Sequence, residues 1–128
     1  MCKMPNVELT NVRKTFEKGR IVAVDHVDLV VRDQEYLTLL GPSGCGKTTT
    51  LRMIAGLIEP DKGEVRIDDQ LVSGHPPEDR DIGYVFQQYA LFPHMDVWDN
   101  VTYGPRVKGL EEEKSERICR EMLEMVKL

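Results

Sequence analysis

A chain of 128 residues, 41% hydrophobic and 30% charged, has the size and apolar content of one ordinary domain and is neither disordered nor fibrous. Lys+Arg 17 against Asp+Glu 22 leave a net charge of -5 with no basic run, so binding to a nucleic-acid backbone is not expected. Asp25 and Asp28 break the longest apolar stretch, far below the roughly 20 residues of a membrane span, and MCKMPNVELT carries no apolar signal core.

Cys2, Cys45 and Cys119 form no CxxC pair, as expected of reduced thiols in the cytoplasm. Val7 to Phe16 and Ile21 to Val31 alternate loosely about a turn at Glu17–Arg20, which predicts two antiparallel strands. Val22 and Val24, then Val27, Leu29 and Val31, carry the second pattern. Tyr36 to Leu40 is a compact apolar run and predicts a strand buried on both faces. Three glycines and a proline then exclude a regular element from Gly41 to Gly46. Thr48 to Ile58 has helical spacing, and Glu59-Pro60-Asp61-Lys62-Gly63 ends it. Residues 64–68 and 70–72 predict a hairpin, Ile82 to Phe86 another strand, and Gly74 to Asp81 a solvated polar loop. Asp96 suits the cap of a helix from Val97, with Gly104-Pro105 expected to end it. Glu111 to Lys127 predicts an amphipathic helix whose apolar face holds Ile118, Met122, Met125 and Val126. Its acidic start suits the helix dipole, and Glu113–Arg117 and Glu116–Arg120 are i,i+4 pairs.

Gly41-Pro42-Ser43-Gly44-Cys45-Gly46-Lys47-Thr48 matches GxxxxGK[ST] in full, between an apolar strand and a helix. Glycines let successive N–H groups face phosphate oxygens, and the helix N-terminus adds donors and a positive dipole end. Lys47 supplies a cation to the terminal phosphates, Thr48 a hard oxygen for Mg²⁺, and Thr49 a further phosphate contact. Cys45 suits either a small filler or a reactive thiol at a helix N-terminus. His75 and His94 have no partners at metal spacing.

GPSGCGKTTTLRMIAGLIEPDKGEV and IGYVFQQYALFPHMDVWDNV closely resemble the ATP-binding subunits of ABC transporters, nearest to importers of sugars, polyamines or ferric iron. The resemblance implies an α/β P-loop fold in its N-terminal portion. An antiparallel β subdomain and an incomplete central sheet around the phosphate-loop helix would precede the start of a helical subdomain. It divides the chain into an ATP-binding core over 1–87 and the Q-loop and helical start over 88–128. It makes Phe16 the ring that stacks on adenine, where Tyr or Trp is usual, although a strand-end phenylalanine also suits a core. It makes Gln87, rather than Gln88, the glutamine that reaches Mg²⁺ or the attacking water. It implies ATP and Mg²⁺ as cofactors, a second ATP-binding subunit as homodimer partner, and permease subunits docking at Tyr89–Val101. Assembled, the protein would sit on the inner face of the cell membrane. Leu91, Phe92, Met95 and Trp98 would form the docking patch, although Trp98 suits inward packing as well.

Hydrolysis also needs a second Mg²⁺-holding carboxylate and a residue that polarises water. No apolar run ending in paired acids follows Gln87, and the LSGGQ signature would begin about ten residues past Leu128. The expectation is therefore the N-terminal half of an ABC ATPase domain, binding nucleotide weakly at best and not turning it over. The missing strand would leave the flank of Tyr36–Leu40 open. Neither the GxPGxGKGT loop of adenylate-kinase-like proteins nor the Asn-Lys-x-Asp motif of GTPases occurs. A stand-alone nucleotide- or partner-binding module is the other alternative.

Overall fold

The computed structural model describes residues 5–88 and 90–128, so the expectations for Cys2 and Tyr89 lie outside the described residues. The chain divides into two compact units, Met1–Tyr84 and Val85–Leu128, a break slightly upstream of the 87/88 boundary expected from sequence.

The first unit is built on a hairpin of β1 (Val7–Phe16) and β2 (Ile21–Val31). After α1 (Lys47–Ile54), β3 (Lys62–Ile67) and the short β4 (Gln70–Leu71) complete an antiparallel sheet of order β2-β1-β3-β4. Register runs from Val7↔Val31 to Phe16↔Ile21 on one side of β1, and from Val7↔Ile67 to Arg13↔Lys62 on the other.

Leu9 and Val12 are both fully buried although three residues apart, which strict alternation forbids. A shift of register between them, with Asn11 at φ 50, inserts the extra residue that returns Val12 to the core face. Asp28 fixes the irregularity by accepting from the Asn11 N–H at 2.7 Å. His26, at φ 49 on β2, separates the core residues Val24 and Val27 in the same way. Met53 of α1 packs on this face with Val65, Ile67 and Val72, and Ile54, Ile58 and Ile82 flank the cluster.

Tyr36–Leu40 and Ile82–Phe86, both expected as strands, join no ladder among the described residues. A strand exists by pairing, and the four-stranded sheet closes without them. Tyr36, Leu40 and Val85 are almost fully exposed. Helix α1 ends at Ile54 rather than Ile58, because Gly56 takes φ +78 and turns the chain.

The second unit is a pair of helices, α2 (Val97–Val107) and α3 (Glu112–Met125). Asp96 caps α2, accepting from the Asp99 N–H at 2.8 Å. Gly104-Pro105 does not end this helix. Pro105 sits inside its last turn, and Gly109 at φ +70 makes the turn that follows. Helix α3 buries Ser115 and Cys119, whereas Met122, Met125 and Val126, expected to face inward, are exposed. Glu116 and Arg120 lie 3.9 Å apart as the i,i+4 pattern predicts.

Candidate phosphate-binding site

The loop Gly41–Gly46 runs directly into the start of α1 at Lys47. Gly46 takes φ +93, and a Cβ there would stand 2.2 Å from the Ala23 carbonyl oxygen of β2. Only glycine allows that turn and that approach together. Thr50 locks the junction, since its N–H and its hydroxyl both donate to Gly46 O, at 2.8 and 3.0 Å. By helix geometry the N–H groups of Lys47, Thr48 and Thr49 have no acceptor within α1.

Lys47 folds back over this loop. Its Nζ donates to Gly41 O at 2.8 Å and Pro42 O at 2.6 Å, with Cys45 Sγ at 3.3 Å. The ammonium is thus held by neutral partners, two carbonyl oxygens and a sulfur, which a phosphate oxygen surpasses. Thr48 is exposed and Thr49 half-buried. Ser43, Gly44 and the exposed Cys45 complete the rim. No cluster of acidic, His or Cys side chains able to hold a metal occurs among the described residues. The donor set fits a nucleotide triphosphate with Mg²⁺ held through the phosphates and one hydroxyl, a mode that ion favours.

Phe16 ends β1 and is 41% exposed. Its neighbour Thr15 pairs with Val22, one residue from the carbonyl that touches Gly46, so the hairpin end and the loop are adjacent. The Lys14 ammonium lies 5.7 Å from the centre of the Phe16 ring. Lys14 is fixed in turn by Asp61 Oδ1 at 2.9 Å, and Asp61 Oδ2 accepts from the Thr15 N–H and hydroxyl, both at 2.7 Å. These bonds, that from Lys14 foremost, lower the Asp61 carboxyl from 3.8 to about 2. Sequence reasoning took Asp61 only as part of a helix-ending turn. Its partners are more than forty positions away in the chain, at a separation no local pattern carries.

Arg80 is a second omission, and a correction. The segment Gly74–Asp81 reads as a solvated loop, yet the Arg80 side chain is fully buried. Its guanidinium bonds the carbonyls of Met53, Ile54 and His75 and the carboxylate of Glu59.

In the second unit Gln87 is exposed on the loop ahead of the helices, beside Gln88. Asn100 ties the following loop to α2, donating to the carbonyls of Phe92, Met95 and Asp96 and accepting from the Phe92 N–H. Leu91, Phe92, Met95, Val97, Met122 and Val126 line an apolar groove of about 550 Å³. Trp98 is not in it. Its half-buried ring lies under the guanidinium of Arg120, at 5.3 Å.

A sequence model of the family described as ABC transporter matches residues 24–128, and the chain belongs to that family. The spermidine/putrescine import ATP-binding protein PotA of Acidothermus cellulolyticus is 48% identical over 126 residues, covering 97% of this chain and 33% of that protein. The trehalose/maltose import ATP-binding protein MalK of Thermococcus litoralis is 47% identical over 131 residues, covering 98% of this chain and 35% of that protein. The dimeric, post-hydrolysis ATP-binding cassette MJ0796 bound to ADP and Pi superposes with a TM-score of 0.84 at 34% identity, covering 95% of this chain and 57% of that one. The fold is that of the N-terminal portion of an ABC ATPase cassette. The chain spans about a third of the length of the curated relatives it matches.

Proposed function

We propose that this chain binds Mg-ATP at the Gly41–Thr49 loop and serves the ATP-binding subunit of a solute importer. The observation that carries the reading is the Lys47 ammonium, held by two loop carbonyls and the Cys45 sulfur at the head of a helix whose first N–H groups lack intrahelical acceptors. Phosphate oxygens replace those carbonyls as partners of Lys47. The amides of Lys47, Thr48 and Thr49 complete the cradle, and the Thr48 hydroxyl would hold Mg²⁺. Bound Mg²⁺ neutralises charge on the phosphates.

Phe16 offers its open face to adenine, and Gln87 is assigned to Mg²⁺ or the attacking water. The names of PotA and MalK support import as the process driven, and the dimeric cassette MJ0796 supports a second ATP-binding subunit as partner. Permease subunits dock at residues 89–101, which places the assembled protein on the inner face of the membrane. No helix among the described residues is long and apolar enough to cross a membrane. The 128 residues supply nucleotide binding and not turnover, because none of the residues assigned above is a carboxylate able to hold Mg²⁺ from a strand end.

Titration of the purified chain with Mg-ATP tests the site. Saturable binding is expected, weakened at least about tenfold in Lys47→Ala, which removes a charge-assisted contact. Equal binding by both chains would remove the loop from the function. A second reading, a partner-binding module, is favoured by the apolar groove of the second unit, and absence of nucleotide binding would leave it in possession.

A further inference from the structure

The loop Gly74–Asp81 contributes one side chain that reaches the far end of the phosphate-loop helix. Arg80 Nη1 donates to Met53 O at 2.8 Å and Ile54 O at 3.1 Å, the last carbonyls of α1. Nη2 donates to Glu59 Oε1 and His75 O, both at 2.8 Å, and Nε to His75 O at 3.0 Å. All its nitrogens are therefore engaged, and the side chain has no exposure to solvent. Gly56 makes room for it, since a Cβ there would stand 2.6 Å from Arg80 Nε. Glu59 closes the frame by accepting from the Gly74 N–H at 3.0 Å.

A buried guanidinium is costly to desolvate and is retained where several acceptors are fixed around it. Two of these acceptors, the Met53 and Ile54 carbonyls, are the negative end of a helix dipole, where a cation is favoured. Helix α1 has eight residues, about 12 Å of rigid rod, with Gly46, Lys47 and Thr48 at the other end. A tilt at Ile54 is therefore transmitted to the phosphate loop.

We propose that Arg80 is a positioning residue for the phosphate site: its guanidinium clamps the C-terminal end of α1 and thereby sets the orientation of the helix that presents Lys47 and Thr48. The inference rests on the nucleotide-site reading above but adds a residue outside the phosphate loop and the residues that resemblance assigns. Lysine does not replace this clamp. A single ammonium cannot span acceptors on α1, on the His75 turn and on Glu59 at once.

The test uses the whole 128-residue chain as wild type, Arg80→Met, Arg80→Lys and Glu59→Gln. Amide hydrogen exchange is followed at Thr50, whose N–H bonds Gly46 O, and at the sheet residue Leu9 as control. In Arg80→Met, Thr50 should exchange about tenfold or more faster while Leu9 stays within about twofold, the signature of a local opening. Inorganic tripolyphosphate is the binding probe, and its affinity should fall about tenfold or more in the same variant, with Arg80→Lys failing to restore it. Faster exchange confined to residues 55–57, with Thr50 unchanged, overturns the proposal. So does an equal rise at Thr50 and Leu9 in Glu59→Gln, which keeps the guanidinium and decides the matter if Arg80→Met does not fold. Wild type that fails to bind tripolyphosphate sinks the nucleotide reading separately, since the exchange comparison needs no ligand.

Discussion

The thiol of Cys119 donates to the carbonyl of Val101 at 3.6 Å, the oxygen that Pro105, four residues further along α2, has no N–H to satisfy. Proline within a helix leaves an orphan acceptor one turn back, and here the neighbouring helix provides the donor. The contact lies on the inward face of α3, with Ser115 and Cys119 buried and Met122, Met125 and Val126 left exposed.

Replacing Cys119 with alanine should therefore cost about 1 kcal/mol, from a half-buried acceptor losing its donor with the small cavity added. In a Pro105→Ala background the helix regains its own N–H for Val101, and the cost of Cys119→Ala should shrink by more than half. A double-mutant cycle by urea denaturation measures that coupling. Additive effects would mean that the thiol acts by packing alone.

Asp61 gives the fold a defined dependence on acid. Its ionised form is held by Lys14 and Thr15, which lower its carboxyl from 3.8 to about 2. A depressed native pKa means that the carboxylate's contribution is complete above pH 3.8 and disappears as pH falls through about 2. The stability difference between wild type and Asp61→Asn should thus be constant at neutral pH and close between pH 3.8 and about 2. Thermal melts across that range check it, and a gap that persists at the acid end would assign the effect to shape rather than charge.

Much of the first unit is legible in its residues because the signals are local. The hairpin of β1 and β2 falls where alternation and the Glu17–Arg20 turn put it. The phase jump from Val24 to Val27 is visible in the sequence, and positive φ at His26 is its cause. The phosphate loop is legible because its glycines are demanded by backbone geometry at one place. What failed depends on distant partners. Tyr36–Leu40 is apolar enough for a strand, but pairing is a property of two segments and no ladder includes it here. Arg80 sits among Glu78, Asp79 and Asp81 in a polar run, and nothing local separates it from a solvated loop residue. Its burial is set by helix carbonyls 26 and 27 positions away. Gly104-Pro105 misleads for the reverse reason, since a contact with α3 overrides a strong local stop signal.

Gly46→Ala should damage fold and site together. The position combines φ +93 with a Cβ that would meet Ala23 O at 2.2 Å. Left-handed strain alone costs on the order of 1–3 kcal/mol, and relief of the clash must move either β2 or the head of α1. The expected result is a lowered melting temperature together with loss of Mg-ATP binding at temperatures where the chain is still folded. Gly44→Ala, at φ +83 with open space about its Cβ, should show the strain with a smaller loss of binding. Equal losses at the two positions would mean that contact with Ala23 is unimportant.

Substitution at Phe16, proposed above to stack on adenine, tests base recognition apart from phosphate recognition. One side of its ring carries the Lys14 ammonium, which Asp61 fixes, and the residue keeps 41% of its surface exposed. A ring held from one side presents the other to a flat partner, and stacking on an aromatic is worth about 1–3 kcal/mol per base. Phe16→Ala should weaken Mg-ATP by roughly that amount, about 5- to 150-fold, while tripolyphosphate binds as to wild type. Phe16→Trp, with the larger face, should bind Mg-ATP more tightly. Isothermal titration with both ligands reads the two contributions apart. If Phe16→Ala weakened both ligands equally, the ring would be a support for the hairpin and its contact with Gly46, and the base would need another seat.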